Sequence, residues 1–175
     1  TKGTFTKDPF NLVTVPAVSR KLHVKLLENI QKAQEISETS KYNFSSGNGP
    51  WGIVCNGVSY NYVSDAVKDL GIEDKIKMLR IGFSHPMPEN LIKQFAAECE
   101  KILVVEEGEP FMEEAIKSFA QESKITIPIQ GKGEGLFSRL YEFDPAMVRQ
   151  VIAKFFGVSV TIAAVPDLTD VPEIP

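Results

Sequence analysis

The sequence predicts an α/β fold in which helices cover both faces of a mostly parallel sheet. From Trp51 onward, short apolar runs alternate with segments of helical period, the order in which crossover helices connect parallel strands. The cores of these runs are IVC, MLRI, ILVV and ITIPI, almost continuously apolar, as strands covered on both faces require. With 175 residues, 43% of them hydrophobic, the chain is long enough for one domain with a sizeable core.

The chain begins with a predicted linker and a long helix, residues 1–40. The segment KDPFNLVTVP contains two prolines and has no helical period, so we expect it to run extended. From Val18 to about Glu38, apolar residues recur every three or four positions and charges fill the other face. This period predicts an amphipathic helix.

Residues 41–157 form the predicted α/β domain, with five strands and four further helices. The strands are expected at 42–46, 51–55, 76–82, 101–107 and 124–131, and the helices at 57–71, 88–99, 110–121 and 144–156. Asp144 and Pro145 suit a helix start, and Gly71 and Gly157 suit left-handed helix ends. Glu89 is placed favourably for the dipole of its helix.

Composition excludes several classes of protein. The net charge is -4 and no run of Lys and Arg is present, so we expect no nucleic-acid partner. No apolar stretch approaches the roughly 20 residues of a membrane helix, and the start lacks a signal-peptide pattern, which favours the cytoplasm. Cys55 and Cys99 are predicted to be buried free thiols, and residues 158–175 a Pro-rich linker to a downstream domain.

Ligands of parallel sheets bind at the carboxyl ends of the strands, which directs attention to the loops there. Gly57, Ser59 and Tyr60 follow a strand and open a helix, so they either contact an anion or form a structural turn. His85 is either a proton-transfer residue or an ordinary loop residue. No nucleophile motif such as G-x-S-x-G occurs, so an independent hydrolase fits poorly.

The glycine-rich GKGEG, residues 131–135, does not meet the phosphate-loop signature. That signature needs a glycine five residues before its Gly-Lys pair and Ser or Thr after it, where Thr126 and Gly133 stand. We expect a flexible turn.

Five carboxylates follow the strand ILVV. Glu109, Glu113 and Glu114 fall at the predicted helix start, where the dipole stabilises each by roughly 0.3 to 1 kcal/mol. Glu106 and Glu107 point to opposite faces while the strand lasts, so they do not converge on one proton or ion. We expect these two to hold loops or a neighbouring domain and not to catalyse.

Four stretches together resemble, in order, the middle region of the alpha subunit in the indolepyruvate ferredoxin oxidoreductase family. They are WGIVCNGVSYNYVSDAV, LRIGFSHPMPENLIKQFA, KILVVEEGEPFMEEAI and GKGEGLFSRLYEFDPAMV. The resemblance covers nearly the whole chain. It implies a three-layer α/β/α domain like the C-terminal domain of transketolase, with a five-stranded mixed sheet whose antiparallel strand is Tyr42–Ser46.

The family consists of thiamine-diphosphate-dependent 2-oxoacid:ferredoxin oxidoreductases of anaerobic archaea and bacteria. The resemblance implies oxidative decarboxylation of aryl pyruvates to aryl-acetyl-CoA, with electrons passing to ferredoxin. It further implies a pyrimidine-binding domain before this region, diphosphate-binding and iron-sulfur domains after it, and a beta subunit.

This chain lacks the Gly-Asp-Gly diphosphate motif, and two cysteines are too few for an iron-sulfur cluster. Thiamine diphosphate, Mg and clusters are therefore expected elsewhere in the full enzyme, with no catalytic residue, cofactor-binding residue or metal ligand here. The fragment would serve architecture and subunit contacts. The alternative is a small-ligand or regulatory anion-binding module that uses Gly57, Ser59, Tyr60, His85, Glu106 and Glu107.

Overall fold

The computed structural model describes residues 3–160. Its strands are Phe44–Ser46 (β1), Trp51–Asn56 (β2), Ile76–Ile81 (β3), Lys101–Val105 (β4) and Ile129–Gln130 (β5). Its helices are Pro9–Leu12 (α1), Pro16–Thr39 (α2), Ser59–Asp69 (α3), Glu89–Ala97 (α4), Phe111–Glu122 (α5) and Pro145–Phe156 (α6). None of these helices is both long enough and apolar enough to cross a membrane.

The five strands form one sheet in the order β1-β3-β2-β4-β5. β2 pairs in parallel with β3 and with β4, and β4 pairs in parallel with β5. β1 runs antiparallel to β3, with Phe44 opposite Arg80. The predicted three-layer fold is confirmed, including the single antiparallel strand at its edge.

Alternate residues of the strands feed two buried clusters, one on each face of the sheet. Ile53 and Leu103 face the cluster covered by α3 and α6, and Val54 and Val104 face the one covered by α4 and α5. Because both faces are covered, the inner strands are apolar at almost every position.

The two cysteines are buried free thiols, as predicted. Cys55 belongs to the cluster under α3 and α6, and Cys99 to the cluster under α4 and α5. The sheet therefore separates the two sulfur atoms.

The predicted ends of α6 are confirmed. The Asp144 carboxylate accepts a hydrogen bond from Met147 N at 2.9 Å and so caps the first turn. Gly157 ends the helix in the left-handed conformation, with φ at 72°.

Two local predictions were wrong. The segment before α2 is not wholly extended, since Asp8 accepts from Asn11 N at 3.3 Å and Pro9 starts the helical turn α1. The last strand is also shorter than expected and covers only Ile129–Gln130. Residues up to Ile125 complete the end of α5, where Ile125 N donates to Ala120 O at 2.8 Å, and Pro128 has no N–H for a ladder.

The last turns of α2 pack on the domain. Ser37 is buried, and the Glu38 carboxylate accepts from Asn90 N at 2.9 Å and Leu91 N at 3.1 Å, which caps α4. Gln34 Nε2 donates to Met87 O at 2.7 Å. The division at residue 40 stays a prediction, and residues 161–175 of the predicted linker lie outside the described residues.

Asn43, just before β1, connects α2 to the end of β3. Its amide nitrogen donates to Ser37 O at 2.8 Å and to Phe83 O at 3.2 Å. Its carbonyl oxygen accepts from Gly82 N at 2.9 Å and Phe83 N at 2.8 Å. One buried amide thus fixes the strand's exit loop to the helix.

Candidate functional site

A cleft of about 450 Å³ opens at the carboxyl ends of β2 and β3, the edge at which the sequence predicts a ligand site. Its walls come from the start of α3, the end of β3 and the end of β4. The lining residues are Asn56, Gly57, Val58, Ser59, Arg80, Ile81, Gly82, Ser84 and Glu107.

Three of the six predicted candidates, Gly57, Ser59 and Glu107, meet in this cleft. Tyr60 joins through its ring, which packs against Arg80. His85 is exposed and does not line the cleft.

The start of α3 presents backbone N–H groups to the cleft. Gly57 has φ at +51°, and a Cβ at this position would meet nothing within 4 Å, so the space beside it is open. The N-cap residue Val58 provides no side-chain hydrogen bond to the first turn. Asn61 N donates to Val58 O at 2.9 Å, so the N–H groups of Ser59 and Tyr60 are the donors that this helix end offers to the cleft.

Arg80 is the residue of the cleft that sequence reasoning missed. Its guanidinium carbon lies 4.7 Å from the Tyr60 ring centroid and 5.8 Å from that of Phe44. Its Nε atom is buried without a hydrogen-bond partner. Its signal in the sequence was a single arginine near the end of an apolar strand, MLRIG.

Glu106 lies on the other side of β4 and caps α5. Its carboxylate is only 4% exposed and accepts from Met112 N at 2.8 Å and Glu113 N at 2.9 Å. Burial raises the pKa of Glu106, while the two N–H groups act to lower it. Pro110, the N-cap residue, supplies no such bond, so a residue from the strand end replaces it.

Glu113 lies in the first turn of α5, as predicted, but its side chain is buried and not solvent-facing. It is 1% exposed; one carboxylate oxygen lies 2.7 Å from Lys117 Nζ, and the other accepts from Gly133 N at 3.0 Å. Burial acts to raise its pKa, and the Lys117 ammonium and the N–H bond outweigh burial, so the pKa lies below 4.5. The helix dipole alone does not account for this residue.

The turn predicted at GKGEG is present, and its backbone contacts the Glu113 carboxylate through Gly133 N. A Cβ at Gly131 would lie 2.7 Å from Glu113 Oε2 and 2.9 Å from Val104 O. Lys132 is buried, donates to Ser138 O at 2.6 Å, and its Nζ lies 4.4 Å from the Phe143 ring centroid. The loop does bind an anion, and the anion is the protein's own carboxylate.

The remaining carboxylates of the cluster are less buried. Glu107 Oε1 accepts from Phe143 N at 3.0 Å, and Glu109 forms an ion pair with Arg139. Glu114 is exposed in the first turn of α5. Four of the five carboxylates thus take part in bonds within the domain.

The donor set does not fit an iron-sulfur cluster. A cluster takes four thiolates, whereas this chain has two cysteines, and they are buried on opposite faces of the sheet. Across residues 3–160, no three His, Cys, Asp or Glu side chains are grouped as a metal would require.

The fold and the carboxyl edge of the sheet together define a class of protein. It is a three-layer α/β/α domain whose carboxylates at this edge bond within the domain, beside a cleft lined by Arg80. The family model described as "Indolepyruvate oxidoreductase domain" matches residues 44–163. The chain belongs to this indolepyruvate oxidoreductase domain family.

Relatives named "Indolepyruvate oxidoreductase subunit IorA" support the assignment. The protein from Thermococcus kodakarensis is 40% identical over 162 residues, which is 91% of this chain and 25% of that protein. The one from Methanothermobacter thermautotrophicus is 32% identical over 177 residues, 99% of this chain and 28% of that protein. This chain spans about a quarter of the length of these relatives.

A solved structure shares the fold. It is a 2-oxoglutarate:ferredoxin oxidoreductase from Magnetococcus marinus with 2-oxoglutarate, coenzyme A and succinyl-CoA bound. The TM-score is 0.53 at 23% identity, over 80% of this chain and 23% of that one.

Proposed function

We propose that this chain is an architectural domain in the alpha subunit of a thiamine-diphosphate-dependent indolepyruvate:ferredoxin oxidoreductase. The parent enzyme oxidatively decarboxylates aryl pyruvates to aryl-acetyl-CoA and reduces ferredoxin in the cytoplasm. Thiamine diphosphate, Mg and iron-sulfur clusters bind to other domains, and a beta subunit completes the enzyme. Family membership and the IorA relatives, four times as long as this chain, support this proposal.

The observation that carries the architectural role is an uncovered apolar stripe on α2. Leu26, Ile30, Ala33 and Ser37 are spaced by three or four residues, so they share one face of the helix. Ser37 is buried against the domain, whereas Leu26 and Ile30 on the same face are exposed. The contact face of the helix thus continues beyond the domain.

We assign this stripe to another domain of the same alpha subunit. Val24 and Leu27 extend the exposed apolar surface around the helix, and contiguous apolar surface of this kind marks an interaction site. Three quarters of the length of the relatives lies outside the region matched here, which provides the covering domain.

The test uses the full-length alpha subunit coexpressed with its beta subunit. Ile30→Glu places a charge in the stripe, and Lys32→Glu, an exposed position on the opposite side of α2, is the matched control. We expect Ile30→Glu to disrupt assembly in analytical ultracentrifugation and to abolish indolepyruvate-dependent ferredoxin reduction, while Lys32→Glu leaves both intact. Equal behaviour of the two variants would refute the contact.

The proposed reaction of the parent enzyme is tested separately. The purified subunit pair should reduce ferredoxin with indolepyruvate and coenzyme A, and the 175-residue chain alone should show no thiamine diphosphate binding in calorimetry at about micromolar affinity. A pair inactive on every aryl pyruvate would refute the assigned reaction. Micromolar binding by the fragment would refute the architectural role.

A further inference from the structure

We propose that the cleft at the ends of β2 and β3 is a binding site for a phosphate group. The phosphate is held by the Arg80 guanidinium, the Ser59 hydroxyl and the N–H groups at the start of α3. This site goes beyond the architectural role, because it gives the domain a ligand of its own.

Arg80 supplies the positive charge. It forms no ion pair with any carboxylate in residues 3–160, and its buried Nε lacks a hydrogen-bond partner. Arg149 Nε is also buried without a partner, but the Arg149 guanidinium pairs with Asp69 at 3.0 Å. Arg80 has no such ion pair, and a buried charged donor left unpaired is costly, so Arg80 favours an external acceptor. The Tyr60 ring, 4.7 Å from the guanidinium carbon, holds the planar fork in place. A guanidinium fork matches the oxygens of a phosphate bidentately.

Ser59 adds a hydroxyl to the wall of the cleft. The residue is 1% exposed and lines the cleft at the first position of α3. Its hydroxyl therefore lies beside a molecule bound there and can donate a hydrogen bond to it.

The first turn of α3 completes the site. Within the described chain, α4, α5 and α6 each receive a carboxylate at the first turn, from Glu38, Glu106 and Asp144 respectively. In α3, which has 11 residues, the N-cap residue Val58 provides no side-chain hydrogen bond, and Asn61 N donates to Val58 O at 2.9 Å. The N–H groups of Ser59 and Tyr60 and the helix dipole favour an anion from outside.

The cleft selects a phosphate that carries an organic group. Its volume of about 450 Å³ exceeds that of one oxyanion, and Asn56 and Ser84 line the remaining wall with polar groups. Glu107 also lines the cleft, and one of its oxygens already accepts from Phe143 N at 3.0 Å. Its second oxygen suits a hydroxyl donor on the organic part, so the ligand class is a phosphate monoester with hydroxyl groups.

The test is a titration of the ¹⁵N-labelled 175-residue chain with inorganic phosphate and with glycerol 2-phosphate, at constant ionic strength set by chloride. We expect saturable shifts of the Ser59 and Tyr60 amides and of the Arg80 Nε–H resonance, with glycerol 2-phosphate the tighter ligand. Arg80→Met should weaken binding by about tenfold or more, since it removes a charge-assisted bond. Arg80→Lys keeps the charge but lacks the planar guanidinium, so its phosphate affinity should lie between that of the native chain and that of Arg80→Met.

Arg149→Met is the matched control, because Arg149 pairs with Asp69 at the opposite end of α3. Binding should be unchanged in it, and thermal unfolding should show that all variants are folded. No saturable shift below about 10 mM phosphate, or equal affinity in Arg80→Met, would overturn the site. Binding by this chain that is lost in the full-length subunit pair would also overturn it and assign Arg80 to a domain contact instead.

Neither result decides the proposed enzyme function, which is measured by ferredoxin reduction in the subunit pair. A folded chain with no phosphate site would leave that activity assay unchanged. An inactive subunit pair would equally leave the phosphate titration of this chain as it is.

Discussion

Replacing Glu113 with Gln tests whether one carboxylate fixes the glycine loop. The change keeps the side-chain volume and removes the charge. The bond from Gly133 N would fall from the charge-assisted range of about 1.5–3 kcal/mol to about 1 kcal/mol. The Lys117 pair adds about 0.2–1 kcal/mol, a value discounted for solvent because the Lys117 side chain is 36% exposed. The free energy of unfolding should therefore drop by about 1–3 kcal/mol.

Urea unfolding followed by circular dichroism at neutral pH measures this change, with an unaltered m-value. Glu114→Gln is the control, because Glu114 lies beside Glu113 on α5 but is exposed. Its effect should stay within about 0.5 kcal/mol. If both variants unfold at the same urea concentration, Glu113 does not fix the loop.

The difference in stability between the native chain and Glu113→Gln should also depend on pH. The pKa of Glu113 in the folded chain is lower than 4.5, so its contribution to stability is present above pH 4.5 and is lost as the pH falls through the lowered pKa. The difference between the native chain and Glu113→Gln should shrink to near zero in acid. A difference that stays constant across this range would refute the ionic origin of the effect.

Three further predictions concern the same edge and the core. Gly131→Ala should destabilise the chain by about 1–3 kcal/mol in urea unfolding, because its Cβ would lie 2.7 Å from a carboxylate oxygen; Gly3→Ala, with open space around it, should be neutral. Lys132→Met should raise the pKa of Glu106 further in a ¹³C carboxyl titration, since the positive charge of the ammonium favours the ionised form; an unchanged pKa would contradict this electrostatic effect. Burial raises the pKa of Cys55 to about 12, so a thiol-reactive dye should modify it only on unfolding, and rapid labelling of the native chain would disprove its burial.

The sequence predicted the layers better than the contacts between them. The strand cores and the helix ends follow from local patterns, and so do Asp144 and Gly157, which act on their own helix. Glu106 and Glu38 cap helices from other elements, and such a contact depends on the tertiary fold and not on local spacing. The length of the last strand was predicted wrongly for a related reason, because the apolar residues before it continue the packing of α5.

The residues of the candidate site were likewise predicted only in part. Gly57, Ser59 and Glu107 were predicted from the rule that ligands bind at strand ends, and they meet in one cleft. Arg80 was not predicted, because a single arginine in a strand has no periodic signal. Its lack of a carboxylate partner among the described residues can be seen only in the three-dimensional structure. His85 shares the predicted edge but lies outside the cleft, which shows that a rule for loops does not place individual side chains.

Asn43 joins the regions of the two proposed contacts through hydrogen bonds. It bonds Ser37 on the packed face of α2 and Gly82 in the wall of the cleft. A domain that docks on α2 and a phosphate that fills the cleft would therefore act on one network of hydrogen bonds. Where docking changes phosphate affinity by some factor, the phosphate must change docking affinity by the same factor. The affinity of the domain for its neighbour would then depend on whether the cleft holds its ligand.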